Sequence, residues 1–178
     1  MIVSVIGTTT FSFSMERFLY LMRHAQSADK QPGQTDKDRE LTVQGLRDSI
    51  KVGAWLYNEK INPDAIISST AVRAKSTAGL LLDTLKLMPE IIRLNDEFYD
   101  ASVRTFLQEI TQLEDTLNRV LCVGHNPTVS YLAEYLTKAE IGELPPGGLV
   151  IIQFDILLWQ KIGEGTGKFI NVITPETL

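Results

Sequence analysis

The chain has 178 residues, 44% of them hydrophobic and 22% charged, with a net charge of −5 and a mean hydropathy of +0.01. That mixture describes one soluble globular domain large enough to bury its own core, and it excludes a disordered chain. One cysteine excludes a disulfide framework, two histidines beside it leave too little for a zinc site, and the acidic balance argues against a nucleic-acid partner.

Residues 1–14 carry no charge and read as an N-terminal extension, either an extra strand or disordered, with Met15 as an alternative start. Ile2–Ile6 is too short for a secretory signal and no positive residue precedes it. No apolar run reaches the roughly 18–20 residues of a membrane span, so the expectation is a cytoplasmic protein with no membrane partner. The domain itself is placed at 15–178.

Phe18–Met22 reads as a buried strand, followed by a polar loop from Ser27 to Glu40. Thr42 is placed as a helix N-cap, with Leu41 and Leu46 as a hydrophobic staple. The helix it starts is expected to bury Leu46, Ile50, Gly53, Ala54 and Tyr57 on one face. Ala65–Ile67 reads as the next strand, Ser68–Thr70 as a turn, and Ala74, Ala78, Leu81, Leu82 and Leu85 as the stripe of a second helix. Ile91–Leu94 is a further short strand. Ser102 caps a helix bearing Val103, Phe106, Leu107, Ile110 and Leu113. Arg119–Val123 is the clearest strand, followed by a helix with Asn126 as N-cap and Pro127 at its first position. Leu149–Phe154 and Phe169–Ile173 follow, linked through Gly163–Gly167 and expected to pair antiparallel. Strands alternating with helices predict a single-domain α/β three-layer sandwich, its central sheet mostly parallel with an antiparallel edge strand.

In such sheets the ligand crevice lies beyond the carboxyl ends of the strands. Three strand ends therefore aim Arg23 and His24, Arg73, and His125 at one rim, and these include both histidines of the chain. The combination suits a phosphoryl group. Guanidinium forks meet its oxygens in pairs, helix N-termini add oriented N–H groups, and one imidazole can attack phosphorus while the other stabilises the transition state. Ser27 and Asn126 are additional phosphate-binding candidates. No metal and no cofactor is expected.

These segments carry a family resemblance. Leu21-Met22-Arg23-His24-Ala25, the Leu41-Thr42-Val43-Gln44-Gly45 element, the block Ser68-Ser69 to Arg73 to Thr77-Ala78, and Val123-Gly124-His125-Asn126-Pro127 together resemble the histidine phosphatase superfamily, with its phosphoglycerate-mutase-like fold. The Arg-His-Ala triplet and the aspartate- and arginine-containing loop before Leu-Thr are most similar to the SixA-type phosphohistidine phosphatases. The resemblance implies His24 as nucleophile, Arg23 and Arg73 as phosphate clamps, His125 as partner imidazole, phosphohistidine on a protein as substrate, and inorganic phosphate as product. It also points to Asp96–Ser102 for a general acid, where Glu97 and Asp100 both stand.

A phosphatase of small phosphate monoesters, such as sugar or nucleotide phosphates, is the alternative reading. A mutase and a catalytically inactive phospho-binding module fit less well. His125 is expected to be protonated, giving a bell-shaped pH profile. Cys122 reads as a packing residue, Asp36–Glu40 as a solvated loop with Arg39 able to reach the pocket mouth, and Gly163–Lys168 as a hairpin turn, since its spacing does not fit a phosphate-binding loop.

Overall fold

The computed structural model describes residues 16–178, so the expectations for residues 1–14 lie outside the described residues. Its elements are β1 (Glu16–Arg23), α1 (Val43–Asn58), β2 (Ala65–Ser69), α2 (Val72–Leu85), β3 (Ile92–Asn95), α3 (Val103–Thr111), β4 (Arg119–Gly124), α4 (Thr128–Thr137), β5 (Leu149–Asp155) and β6 (Lys168–Ile173). The six strands form one sheet in the order β3-β2-β4-β1-β5-β6. The first four of that order run parallel, and antiparallel pairing of β5 with β1 and of β6 with β5 completes one edge. The α/β three-layer expectation holds. Among the described residues no helix is long and apolar enough to cross a membrane.

Side chains alternate across a strand, so a strand covered on both faces is apolar throughout. Leu19, Leu21, Val120 and Cys122 face α3 and α4, where Phe106, Ile110, Leu132 and Leu136 close one core. Tyr20, Met22, Leu121 and Val123 face the other way, onto Val52, Leu56 and Leu81 of α1 and α2. Cys122 is fully buried, and desolvation pushes its thiol well above the usual range; it packs and does not react.

Thr42 caps α1 as expected, its side chain accepting from the Gly45 N–H, and Ser102 caps α3 in the same way. The α2 stripe is buried at every expected position. The α1 face is a correction. Gly45, Ser49, Val52, Gly53 and Leu56 are the buried residues, while Leu46 is 40% and Ile50 47% exposed and Tyr57 also faces solvent. The cause is close packing: a Cβ on Gly53 would come within 2.8 Å of Thr84 on α2, so the helix turns its small residues inward.

Two further corrections concern strand and helix ends. Ser68 and Ser69 are not a turn but the last two residues of β2, both buried. Pro127 takes the cap position of α4 with no side-chain cap bond, and Asn126 does not cap. Its amide donates to the Leu144 carbonyl and its oxygen accepts from Ser130, tying α4 to the loop before β5.

Candidate active site

β1 ends in Arg23 and runs on into His24, whose backbone N–H donates to Gly124 at the end of the neighbouring β4. Gly147, in the loop before β5, donates back to the Arg23 and His24 carbonyls. The next residue, Ala25, is fully buried and donates to the Thr77 hydroxyl on α2. Gln26 is held by α1: its carbonyl accepts from Thr42 N–H at 2.9 Å, and its side-chain oxygen accepts from the Thr42 hydroxyl. A Cβ on Gly45 would lie 2.2 Å from the Gln26 carbonyl oxygen, so only glycine lets the first turn of α1 press on this loop. The Leu-Thr-x-x-Gly element is thus a backbone clamp on the segment that presents His24. Gly124 plays a similar part below His125, where an added Cβ would strike the Phe106 ring at 2.8 Å.

These anchors bring the imidazoles of His24 and His125 to 4.9 Å between ring centres, edge to face. A cavity of about 410 Å3 opens over them. Of the residues expected from sequence, Arg23, His24, Arg73, His125, Ser27, Asn126 and Asp100 all line it; Glu97 does not. A slightly larger cleft of about 450 Å3 lies between α1 and Pro145, Pro146 and Pro175, but it holds no imidazole.

A hydrogen bond fixes the tautomer of His24. His24 Nδ1 lies 2.7 Å from the Ala25 carbonyl, which can only accept, so the proton sits on Nδ1. Its Nε2 lone pair accepts from Arg73 Nε at 3.1 Å, in the wall of the cavity. His125 Nε2 lies 2.9 Å from the Ser69 hydroxyl, and its Nδ1 faces Arg73 Nη2 at 3.5 Å. Burial, reinforced by Arg73, Arg23 and Arg39, lowers the His24 pKa from 6.5 to about 4. Burial, the His24 ring and Arg73 lower that of His125 to about 3. This corrects the expectation of a protonated His125. Burial, with the Arg73 and Arg23 guanidiniums nearby, holds it neutral, so a proton must arrive together with an anion.

Arg23 reaches in from the other side. Its Nη1 donates to the Leu144 carbonyl at 2.6 Å and pairs with Glu143 at 3.2 Å. Its Nε is buried and is the one such side-chain nitrogen or oxygen without a partner among the described residues. A buried donor left in this state can be satisfied by an acceptor oxygen of a ligand.

Sequence reasoning missed Asp36, Tyr99 and Ser69 as members of the site. Asp36 and Arg39 are not simply solvated: both line the cavity, as does Tyr99. Arg39 donates to the Ser27 hydroxyl and the Ala28 carbonyl, and hydrogen bonds from Arg39 and Tyr99, with Arg73 beside them, hold the Asp36 pKa down at about 2. Only Arg39 was expected near the mouth. Ser69, read as part of a turn, is the partner of His125. Among the described residues no three His, Cys, Asp or Glu side chains gather as a metal-holding cluster.

Comparison with known proteins places this geometry in a family. The profile of the histidine phosphatase superfamily, branch 1, matches residues 19–99. An uncharacterised protein of Mycobacterium tuberculosis is 34% identical over 165 residues, spanning 87% of this chain and 100% of that one. The phosphohistidine phosphatase SixA of Escherichia coli is 29% identical over 134 residues, 72% of this chain and 77% of its own. A solved structure of the protein histidine phosphatase SixA, complexed with tungstate, superposes with a TM-score of 0.71 at 25% identity, over 90% of this chain and 98% of that one.

Proposed function

The chain belongs to the histidine phosphatase superfamily and is a phosphatase, and from that premise we propose that it removes phosphoryl groups from phosphohistidine carried on other proteins, through a phosphohistidine of its own. The observation that carries the proposal is His24. Its Nδ1 proton is fixed on the Ala25 carbonyl, and its Nε2, which accepts from Arg73 Nε, lies in the wall of a cavity shared with Arg23, Arg73 and His125, so that an anion drawing Arg73 to itself frees the lone pair for attack. A neutral, oriented imidazole is ready to attack phosphorus without first losing a proton.

In the first step a bond forms between His24 Nε2 and phosphorus as the substrate's N–P bond breaks. The electron pair of that bond leaves with the substrate imidazole, which takes up a proton. Water then attacks the phosphorus, His24 Nε2 recovers its electron pair, and inorganic phosphate departs. Arg73 and the unpartnered Nε of Arg23 take the equatorial oxygens, where transition-state charge is spread. His125, protonated as the anion enters, donates to a third. Ser27 and Asn126 edge the cavity as further phosphate contacts. Asp100, an exposed carboxyl on the cavity wall, stands where a leaving group emerges and is the better placed of the two acid candidates. A phosphoramidate nitrogen leaves readily once protonated, so the reaction asks little of that acid. SixA of E. coli, by its name a phosphohistidine phosphatase, and the SixA structure that holds tungstate, a tetrahedral oxyanion, support the same assignment.

The test is a paired rate measurement on a phosphohistidine-bearing protein and on an aryl phosphate, with trapping of the phosphoenzyme. The expected result is a higher kcat/KM on phosphohistidine and a base-stable, acid-labile phosphate on His24, with both turnover and trapping lost in His24→Ala. Faster turnover of the ester transfers the enzyme to small phosphate monoesters, and ordinary turnover by His24→Ala removes the assignment of the nucleophile. A cytoplasmic location belongs to the same proposal, since phosphohistidine carriers act in that compartment's signalling and transfer reactions; fractionation of cells checks it.

A further inference from the structure

Arginine presents two usable edges to a partner. One is the end formed by Nη1 and Nη2, and the other is the side formed by Nε and Nη2. Arg73 is only 6% exposed, so both edges are filled by the protein or its ligand. Asp36 fills the end edge twice over. Its backbone carbonyl accepts from Nη1 at 2.6 Å and its carboxylate accepts from Nη2 at 2.9 Å. The side edge is thereby turned toward the two imidazoles, with Nε 3.1 Å from His24 Nε2 and Nη2 3.5 Å from His125 Nδ1.

Asp36 is itself held from two other directions. Arg39 Nη1 donates to its second oxygen at 3.0 Å, and the Tyr99 hydroxyl donates to its first at 3.0 Å. The loop that carries it is pinned to the start of α2 where Val72 N–H donates to the Lys37 carbonyl. A carboxylate braced on three sides does not follow the substrate; it sets a fixed orientation.

We propose that Asp36 is a positioning residue for phosphoryl transfer: by occupying the end edge of Arg73, it delivers the side edge, Nε and Nη2 together, to the phosphoryl oxygens that sit between His24 and His125. Without it, the guanidinium is free to rotate and meet the anion end-on, drawing away from the line of attack. The assignment rests on the phosphatase reading of the pocket, and it adds a carboxylate that touches neither the nucleophile nor the phosphorus.

A double-mutant cycle between Asp36→Ala and Arg73→Ala separates this role from a general loosening of the loop. In the otherwise unchanged enzyme, Asp36→Ala is expected to lower kcat by about 10²-fold, comparable to losing one transition-state donor, and to change KM far less. Asp36→Asn keeps an oxygen acceptor for Nη2 without the charge and falls between the two. In the Arg73→Ala background the same Asp36→Ala change is expected to cost almost nothing more. An equal loss in both backgrounds, or an unchanged kcat in Asp36→Ala, overturns the proposal. Where turnover of Arg73→Ala is below detection, calorimetric titration with inorganic phosphate gives the same cycle, with Asp36→Ala weakening phosphate only when Arg73 is present. The cycle is run on both phosphohistidine and an aryl phosphate. A preference for the ester defeats the substrate assignment while leaving the Asp36 coupling to stand or fall by itself.

Discussion

At the scale of single residues, the site works through imidazoles held neutral. His24 attacks only when unprotonated, and its pKa stands at about 4 against an ordinary 6.5. After correction for the substrate's own ionisation, the acid limb of kcat/KM is therefore expected near pH 4; a limb at pH 6–7 contradicts it. The same shift enters stability. A base whose folded pKa is lowered binds fewer protons folded than unfolded, so acid weakens the fold as pH falls from about 6.5 through about 4 for His24 and about 3 for His125. Thermal melts between pH 7 and pH 4 should show that slope, reduced in His125→Asn. The four central residues were legible because arginine and histidine at three strand ends are rare and chemically pointed. Ser69 and Asp36 were not. They are common residue types, and their partners lie 56 and 37 positions away along the chain, a separation that only the folded topology closes.

At the scale of elements, α1 matters more for what its first turn presses on than for its own stability. Gly45→Ala is expected to push Gln26, and with it His24, away from the cavity, because the added methyl would meet a backbone oxygen at 2.2 Å. Turnover should fall by at least about tenfold, since small misplacements of reacting groups cost about that much or more, with a loss of stability of about 1–3 kcal/mol by overpacking. Full activity in Gly45→Ala would show that the clamp is not needed. The helix itself was legible from its N-cap, yet its buried face was not. A stripe drawn through Leu46, Ile50, Gly53, Ala54 and Tyr57 catches Gly53 but misses Gly45 and Ser49 beside it, since close approach between α1 and α2 selects small residues over large ones.

At the scale of the whole molecule, stability and chemistry sit at opposite ends of β1. Arg17, near its start, is fully buried. It donates to the carbonyls of Asp115, Leu117, Ile156 and Leu157 and lies 5.3 Å over the Trp159 ring. It thereby ties the loop before β4 to the one after β5. Arg17→Ala leaves those acceptors without their donor and should cost at least about 3 kcal/mol. The catalytic rate per folded molecule should be unchanged, because six residues of strand, about 20 Å, separate Arg17 from Arg23. A selective loss of kcat without a shift in the unfolding midpoint would refute that separation. Alternating strands and helices announced the layers, and Leu149–Phe154 and Phe169–Ile173 announced the antiparallel edge. That β4 slots between β2 and β1 was not announced, because the order depends on how separate α/β units meet in space.

The single bond from His24 Nδ1–H to the Ala25 carbonyl has a regiochemical consequence. With that nitrogen committed, only the far nitrogen of the ring can carry the phosphoryl group, so the covalent species should be the tele isomer and never the pros isomer. Phosphorus NMR of the trapped enzyme distinguishes the two by chemical shift.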